Sequence, residues 1–340
     1  MDFLDFRCSA ASVRILVEAG QARGFKPPQI LAGTGLRESD LLNPDAELNA
    51  RQELRAVENL IRACTQPGLG LEVGLRGNLA SYGFWGLGLI SSATAGDALA
   101  FGLRYVPLSF PFCRISVTQE GGLRTISFGE PALAPDVQQF LVERDMAAAA
   151  LLMKEALGSR FVLSRFQLKH GLRTSATVSR DIEVAVGTRP RFGARDNSLS
   201  FEQSMLGWPL PQADPVTVAL CEKACADLME RWRVRLGAGE RLRQHLGMAP
   251  LDAMPTLVQS AQWLGLSERT LKRRLQDEGT TFSALLAQAR SGQARALVAD
   301  GDLPLTQIAE RMGFSDLSSF SQAFKRWFGV APSVLRKTGK

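Results

Sequence analysis

Histidine is scarce: the 340 residues hold only two, His170 and His245, far apart in sequence. Histidine-rich metal sites and His-based nucleophilic catalysis therefore lack the side chains they need. Cysteine is limited as well. Cys8, Cys64, Cys113, Cys221 and Cys225 are odd in number and widely spread, which argues against a disulfide framework and fits a reducing compartment. Long apolar runs are missing: Phe84 to Ile90 and Ala147 to Met153 fall far short of the roughly 20 residues that span a bilayer. The opening Met1-Asp2-Phe3-Leu4-Asp5-Phe6 is acidic and leads into no apolar core, so no export signal is expected. A cytoplasmic location without membrane contact follows as an expectation.

The residues that are present describe a soluble globular chain. Hydrophobic residues make up 45% and charged residues 22%, and the length suits about two domains. The net charge of +6 conceals an asymmetry. Residues 231–340 carry 17 Lys and Arg against 9 Asp and Glu, whereas the preceding residues carry 23 against 25. A basic domain attached to a near-neutral one is the electrostatic footprint of a nucleic-acid reader joined to something else.

Along the chain, Val13, Leu16 and Val17 recur at helical spacing, and a second helix is expected from Ala50 to Ala63. Gly68-Leu69-Gly70 and Gly86-Leu87-Gly88 read as punctuation. Thr94 is placed to cap a helix through Leu99 and Leu103. Arg114–Thr118 and Leu123–Phe128 alternate apolar and polar residues about Gly121-Gly122, which predicts a hairpin. Pro135 to Leu157 reads as a long helix whose Ala-, Leu- and Met-rich half packs on that sheet. Further strands are expected near Phe166–Leu168 and Leu199–Phe201. Trp208-Pro209-Leu210-Pro211 ends this α+β region. A helix over 216–232 follows (Val216, Leu220, Leu228, Trp232), then a flexible joint over Arg235–Gly239.

Beyond Gly239 the sequence repeats itself. Ala261-Gln262-Trp263-Leu264-Gly265-Leu266-Ser267 returns as Ala309-Glu310-Arg311-Met312-Gly313-Phe314-Ser315, both Ala-x-x-x-Gly-apolar-Ser. With one residue inserted, Leu271 and Leu275 match Phe320 and Phe324; with a second, Gly279–Ser283 matches Gly329–Ser333. Each feature has a mechanical reason. The small Ala lets two helices cross closely, Gly supplies the positive φ of a sharp turn, and Ser caps the next helix. Apolar residues four apart anchor that helix while its other face looks outward. This is the logic of a helix-turn-helix, whose second helix enters the major groove.

In the first unit the expected DNA-facing residues are Ser267, Glu268, Arg269, Thr270, Lys272, Arg273, Arg274 and Gln276. In the second they are Ser315, Asp316, Ser318, Ser319, Ser321, Gln322, Lys325 and Arg326. Arg and Lys pair with guanine edges or phosphates, Gln with adenine, and Glu accepts from cytosine. The first set is rich in Arg and Lys, the second in Ser and Gln. Base discrimination is therefore expected mainly from the first unit and anchoring from the second.

The terminal motif Ile308-Ala309 … Gly313-Phe314-Ser315-Asp316 … Ser319-Phe320-Ser321-Gln322-Ala323-Phe324-Lys325-Arg326-Trp327-Phe328-Gly329 … Pro332-Ser333 … Arg336 closely resembles the AraC/XylS family signature. Gln322 stands where that family often has Arg, and Gly292 interrupts the connecting helix. Gly68–Gly74, Thr94–Leu99 and Leu206–Pro211 resemble the effector-binding or dimerisation domain of ornithine-utilisation-type regulators. The resemblance implies an effector-binding/dimerisation domain over 1–212, a linker helix and joint over 213–238, and a DNA-binding domain over 239–340. That last domain would be all-α, with two tandem helix-turn-helix units, about 256–278 and 304–328, joined by a helix over about Phe282–Asp300. The function implied is sequence-specific transcription regulation, by family habit activation, in response to a small cytosolic ligand. Promoter DNA, RNA polymerase, that effector and a second copy of the chain are the implied partners; no cofactor, metal or enzymatic activity is expected.

Three other readings carry less. AraC-like units also occur fused to DNA alkyl-transfer proteins, but Pro111-Phe112-Cys113-Arg114 lacks the adjacent His that activates such a thiolate. Cys221 and Cys225 share a helix face and would make half a redox or metal site. A constitutive DNA binder without ligand would not need so large an attached domain. Phe84, Trp85, Phe110 and Phe112 are assigned first to filling the core and second to lining a pocket.

Overall fold

The computed structural model describes residues 7–43, 46–109, 111–158, 160–171, 176–235, 237–249, 254–300 and 303–338. The acidic opening residues, Phe110 and Leu236 lie outside these. The chain divides into two compact units, Asp2–Glu230 and Arg231–Lys340, with the dividing line inside the helix that follows the Trp208–Pro211 segment.

The N-terminal unit runs β1 (Arg7–Ser9), α1 (Ala10–Gln21), α2 (Pro27–Ile30), β2 (Glu47–Asn49), α3 (Ala50–Ala63), α4 (Leu69–Gly74), α5 (Gly83–Ser91) and α6 (Ala95–Arg104). It continues through β3 (Arg114–Glu120), β4 (Leu123–Gly129), α7 (Pro135–Leu157), β5 (Arg165–Gln167), α8 (Ala176–Val186), β6 (Ser198–Glu202) and α9 (Pro215–Arg235). The sheet is antiparallel in the order β3-β4-β6-β5. Its hairpin pairs Glu120 with Leu123 across Gly121 and Gly122, whose φ values of 55° and 80° are those of a tight two-residue turn matched to strand twist. The expected helices at Ala50–Ala63 and Pro135–Leu157, the Thr94 cap and the hairpin are all present.

Helix α7 is shared between two cores. Its first half places Val137, Phe140 and Leu141 among Val13, Leu16, Val57 and Leu60 of α1 and α3. Its second half places Met146, Ala147 and Ala150 among Ile126, Phe128, Phe166, Leu199 and Phe201 of the sheet. Gly68 (φ 80°) punctuates the chain just before α4, as expected, but the other glycines of these stretches have a different role. Gly70 and Gly74 lie inside α4, and a Cβ on either would stand 2.3 Å from Phe140 O or 2.4 Å from Arg144 O of α7. Gly86 and Gly88 lie inside α5, where a Cβ would meet Leu79 O at 1.9 Å and the Phe101 ring at 2.2 Å. Gly70 and Gly74 thus let α4 and α7 cross at backbone distance, Gly86 admits the Leu79 carbonyl and Gly88 admits the Phe101 ring.

The C-terminal unit is helical: α10 (Ala238–Met248), α11 (Leu257–Trp263), α12 (Glu268–Asp277), α13 (Phe282–Asp300), α14 (Leu305–Arg311), α15 (Leu317–Phe328) and α16 (Pro332–Thr338). Ala238 and Gly239, expected in a flexible joint, instead form the first turn of α10. The central helix α13 serves two small cores. Phe282, Leu285, Leu286 and Ala289 pack with Leu271 and Leu275, while Ala294, Leu297 and Val298 pack with Ile308, Phe320 and Phe324. Gly292 falls between the two sets, and α13 runs through it without a break. No helix among the described residues is long and apolar enough to cross a membrane.

Candidate nucleic-acid interface and ligand cavity

The two repeated units turn in the same way. Ala261 and Ala309 are buried at the helix crossing. Gly265 (φ 67°) and Gly313 (φ 77°) then adopt the left-handed conformation. In the first unit the N–H of Gly265 donates to Gln262 O at 3.0 Å and that of Leu266 to Ala261 O at 2.9 Å. In the second, Gly313 donates to Glu310 O at 2.9 Å and Phe314 to Ala309 O at 3.0 Å. Nested bonds of this kind close a helix C-terminus around a glycine.

The caps that open the recognition helices differ. Ser267 Oγ accepts the N–H of Thr270, as expected. Ser315 does not repeat this role. Asp316 is the cap of α15: its Oδ1 accepts the N–H of Ser319 at 2.7 Å, and its Oδ2 accepts the hydroxyls of Ser319 and Ser315. The residue inserted in the second repeat is thereby located. Counted from the cap, Leu271 and Phe320 are both four residues on, so the extra residue precedes Asp316. Bonds from the Ser319 amide and hydroxyl hold the Asp316 carboxyl below its usual range.

With the caps as origin the two outward faces superimpose. Arg269, Arg273 and Gln276, spaced by four and three, lie opposite buried Leu271 and Leu275. Ser318, Gln322 and Lys325 hold the same positions opposite Phe320 and Phe324. Lys272, Ser321 and Arg326 border these faces. Glu268 and Arg274 flank the first helix. Every expected DNA-facing residue is exposed except Thr270, Ser319 and Ser321, which are half-buried. Ser267, Thr270, Ser315, Asp316 and Ser319 already spend polar atoms on the caps. Among the described residues, Arg269, Lys272, Arg273, Arg274, Lys325 and Arg326 have no ion-pair or hydrogen-bond partner for their side chains. Cations left unpaired on a convex helix face suit displacement of counterions from DNA phosphates.

Glu278, which sequence reasoning did not single out, holds this unit together from just past α12. Its two carboxylate oxygens accept the N–H groups of Ala238 and Gly239. No local pattern announces a cap supplied from 39 residues away.

The N-terminal unit contains a cavity of about 190 Å3. Trp85, Leu99, Leu103, Ile126, Phe128, Leu152 and Met153 give it a mainly apolar wall. A polar cluster interrupts that wall. Arg144 donates from Nη1 to Glu53 Oε1 (2.6 Å) and from Nη2 and Nε to Asp145 Oδ1 (2.9 and 3.1 Å). Asp145 Oδ2 accepts the N–H groups of Phe112 and Cys113, and Ser12 donates to Glu53. Burial works against the guanidinium charge, but the Asp145 and Glu53 carboxylates outweigh it and raise the Arg144 pKa. Burial also pushes the Tyr82 phenol up to about 12, so it stays neutral. Of the aromatic residues weighed for a pocket, Trp85 lines the cavity, Phe112 belongs to the α1–α3 core and Phe84 is 47% exposed. Phe84 therefore fills no core.

The thiols are poorly placed for chemistry. Cys113 is buried and its pKa is raised, by burial first and then by Asp145. Cys221 and Cys225 are both buried; burial raises the first and pushes the second up to about 12. Protonated thiols are weak nucleophiles and ligands. Among the described residues no group of three or more His, Cys, Asp or Glu could hold a metal ion.

Comparison with known proteins agrees with this geometry. The model of the arabinose-binding domain of AraC transcription regulators, N-terminal, matches residues 24–210, and a helix-turn-helix domain matches residues 260–338. An uncharacterized HTH-type transcriptional regulator of Mycobacterium tuberculosis is 34% identical over 339 residues, covering 96% of each chain. The ornithine utilization regulator of Pseudomonas aeruginosa is 31% identical over 274 residues, covering 81% of this chain and 80% of its own. The crystal structure of the transcriptional regulator CdpR from Pseudomonas aeruginosa aligns with 95% of this chain and 97% of its own at 25% identity, with a TM-score of 0.47. The chain belongs to the AraC family of DNA-binding transcription regulators, its N-terminal domain of the arabinose-binding kind and its C-terminal domain a pair of helix-turn-helix units.

Proposed function

We propose that this regulator activates transcription in response to a small cytosolic molecule, laying α12 and α15 into successive major grooves of a promoter. The observation that supports the DNA-reading part best is the pair of superimposable outward faces, Arg269/Arg273/Gln276 and Ser318/Gln322/Lys325. In this reading those residues meet base edges, and Lys272, Arg274 and Arg326 hold phosphates. The cap residues Ser267, Thr270, Ser315, Asp316 and Ser319 fix where each helix begins, and Glu268 and Ser321 border the reading face. The cavity supports the response to a ligand. RNA polymerase and a second copy of the chain complete the proposed assembly.

Genome-wide mapping of bound sites, followed by transcription from the bound promoters with and without the regulator, tests this. A fall in transcription when the regulator is deleted supports activation; a rise assigns it to repression. Footprints that change when a cell extract is added support a ligand response, and footprints indifferent to every extract leave a constitutive binder.

A further inference from the structure

The lining of the N-terminal cavity restricts the chemistry of what fits there. Among its described lining residues the ionisable side chains are Glu53, Tyr82, Arg144 and Asp145. The positive charge of Arg144 is already matched by the carboxylates of Glu53 and Asp145. The carboxylates are withdrawn from the open space: the Glu53 side chain is 0% exposed and that of Asp145 6%. Arg144 is the more open at 11%. A guanidinium carries five N–H donors. Three of those on Arg144 are taken by Glu53 and Asp145, which leaves one on each terminal nitrogen.

A ligand reaching this cluster therefore meets N–H donors whose positive charge is already matched. An acid would accept from those donors but bring a charge with no free counter-ion on Arg144 into a nearly dry site, which is costly. An amine would present donors to donors. A neutral acceptor satisfies both conditions. Size narrows the choice again, because an apolar protein cavity of roughly 150 Å3 holds a benzene ring, and this one is about 190 Å3.

Resting on the reading that the N-terminal unit responds to a small molecule, we propose that this cavity binds an uncharged, mainly hydrocarbon carbonyl compound. Its size is that of a ring with a short substituent. Its oxygen accepts from Arg144, and its body lies against Trp85, Leu99 and Met153.

The test is calorimetric titration of the full chain with four probes of similar size: acetophenone, ethylbenzene, benzoate and 1-phenylethylamine. Acetophenone is expected to bind tightest, with ethylbenzene about tenfold weaker for want of one charge-assisted hydrogen bond. Benzoate and the amine should bind no better than ethylbenzene. Ala149→Phe, which fills the space from α7, should abolish acetophenone binding while leaving the far-ultraviolet circular dichroism unchanged. Should that variant not fold, Ala98→Phe fills the same cavity from α6. Tightest binding by benzoate or by the amine overturns the proposal, as does equal binding of all four, binding of none, or undiminished binding to a folded, filled variant. Footprinting with the same probes separates the two claims. Acetophenone that binds without altering the footprint removes the ligand response and keeps the cavity's chemistry. No probe binding, with a footprint that still responds to cell extract, does the reverse.

Discussion

The carboxylate of Glu278 accepts the N–H of Gly239 at 2.7 Å, and its other oxygen accepts that of Ala238 at the same distance. The first amides of a helix lack intrahelical partners and favour a nearby negative charge, so Glu278 acts as the cap of α10 from outside that helix. A Cβ on Gly237 or Gly239 would stand 2.6 or 2.7 Å from this carboxylate, so glycine at both positions is what admits so close an approach. Glu278→Ala is expected to destabilise the C-terminal unit by about 1–2 kcal/mol, the usual cost of losing a helix cap. Urea unfolding of the full chain, followed by circular dichroism, reads this as a lower midpoint at unchanged slope.

The two serines that align in the repeat should behave differently. Ser267 caps α12, but in the second unit the cap is Asp316. Asp316→Ala is expected to lower the melting temperature by removing the cap of α15, and Ser315→Ala to lower it much less, since Ser315 only donates to the Asp316 carboxylate. Thermal unfolding of the two variants measures the difference; equal losses would return the cap to Ser315.

Much of this architecture was legible because its causes are local. The hairpin about Gly121-Gly122, the Thr94 cap and the ends of α3 and α7 follow from periodicity, turn residues and capping chemistry within a few residues of one another, whereas α13 was placed by the family resemblance. The exposed faces of α12 and α15 were legible for the same reason, since Leu271/Leu275 and Phe320/Phe324 fix the helical phase. The rest depends on partners distant in sequence. Nothing around Gly70 says that Phe140 O will lie against it. Glu278 looks like any exposed acid beyond a helix until α10 is placed over it. Glu53 and Arg144, 91 residues apart, gave no sign of forming the polar part of a cavity.

Two helical glycines make opposite predictions. Gly74 is crossed by α7, and Gly74→Ala would press a methyl 2.4 Å from Arg144 O. That overpacking is expected to cost about 1–3 kcal/mol. A Cβ on Gly292 would meet nothing within 4 Å, and the residue sits inside an ordinary helix. Gly292→Ala is expected to add about 1 kcal/mol by removing glycine's backbone freedom. Differential scanning calorimetry should therefore show one melting temperature fall and the other rise.

His170 ties stability to pH in the N-terminal unit. Its Nε2 lies 3.2 Å from Glu143 Oε1, with Phe192 packed on the ring. Burial lowers the imidazole pKa, but Glu143, the Gly171 carbonyl and Glu130 together outweigh it, and the net direction is up from 6.5. A folded-state pKa raised in this way stabilises the protein fully below about pH 6.5, and the contribution fades as pH rises through the folded value. The melting temperature of the wild type should exceed that of His170→Gln near pH 6, and the gap should narrow as the pH is raised above 6.5. A gap that widens with pH would reverse the assigned sign.

The outward faces make the sharpest prediction about DNA. Arg273 and Gln322 occupy the same position relative to their caps, yet one carries a charge and the other does not. If each meets a base edge, Arg273→Ala should cost about 1–3 kcal/mol of binding and relax preference at one base pair. Gln322→Ala should relax preference at a second base pair about one helical turn away, with little change in salt dependence, because it releases no counterion. Lys272→Ala should do the opposite, weakening all sequences alike and flattening the slope of log affinity against log salt by about 1. Titrations of the three variants against a randomised operator library at two salt concentrations separate these outcomes. Uniform weakening by Arg273→Ala across the library would make it a phosphate contact and move discrimination to Arg269 and Gln276. The first unit would then read DNA from the two ends of its exposed face rather than from the middle.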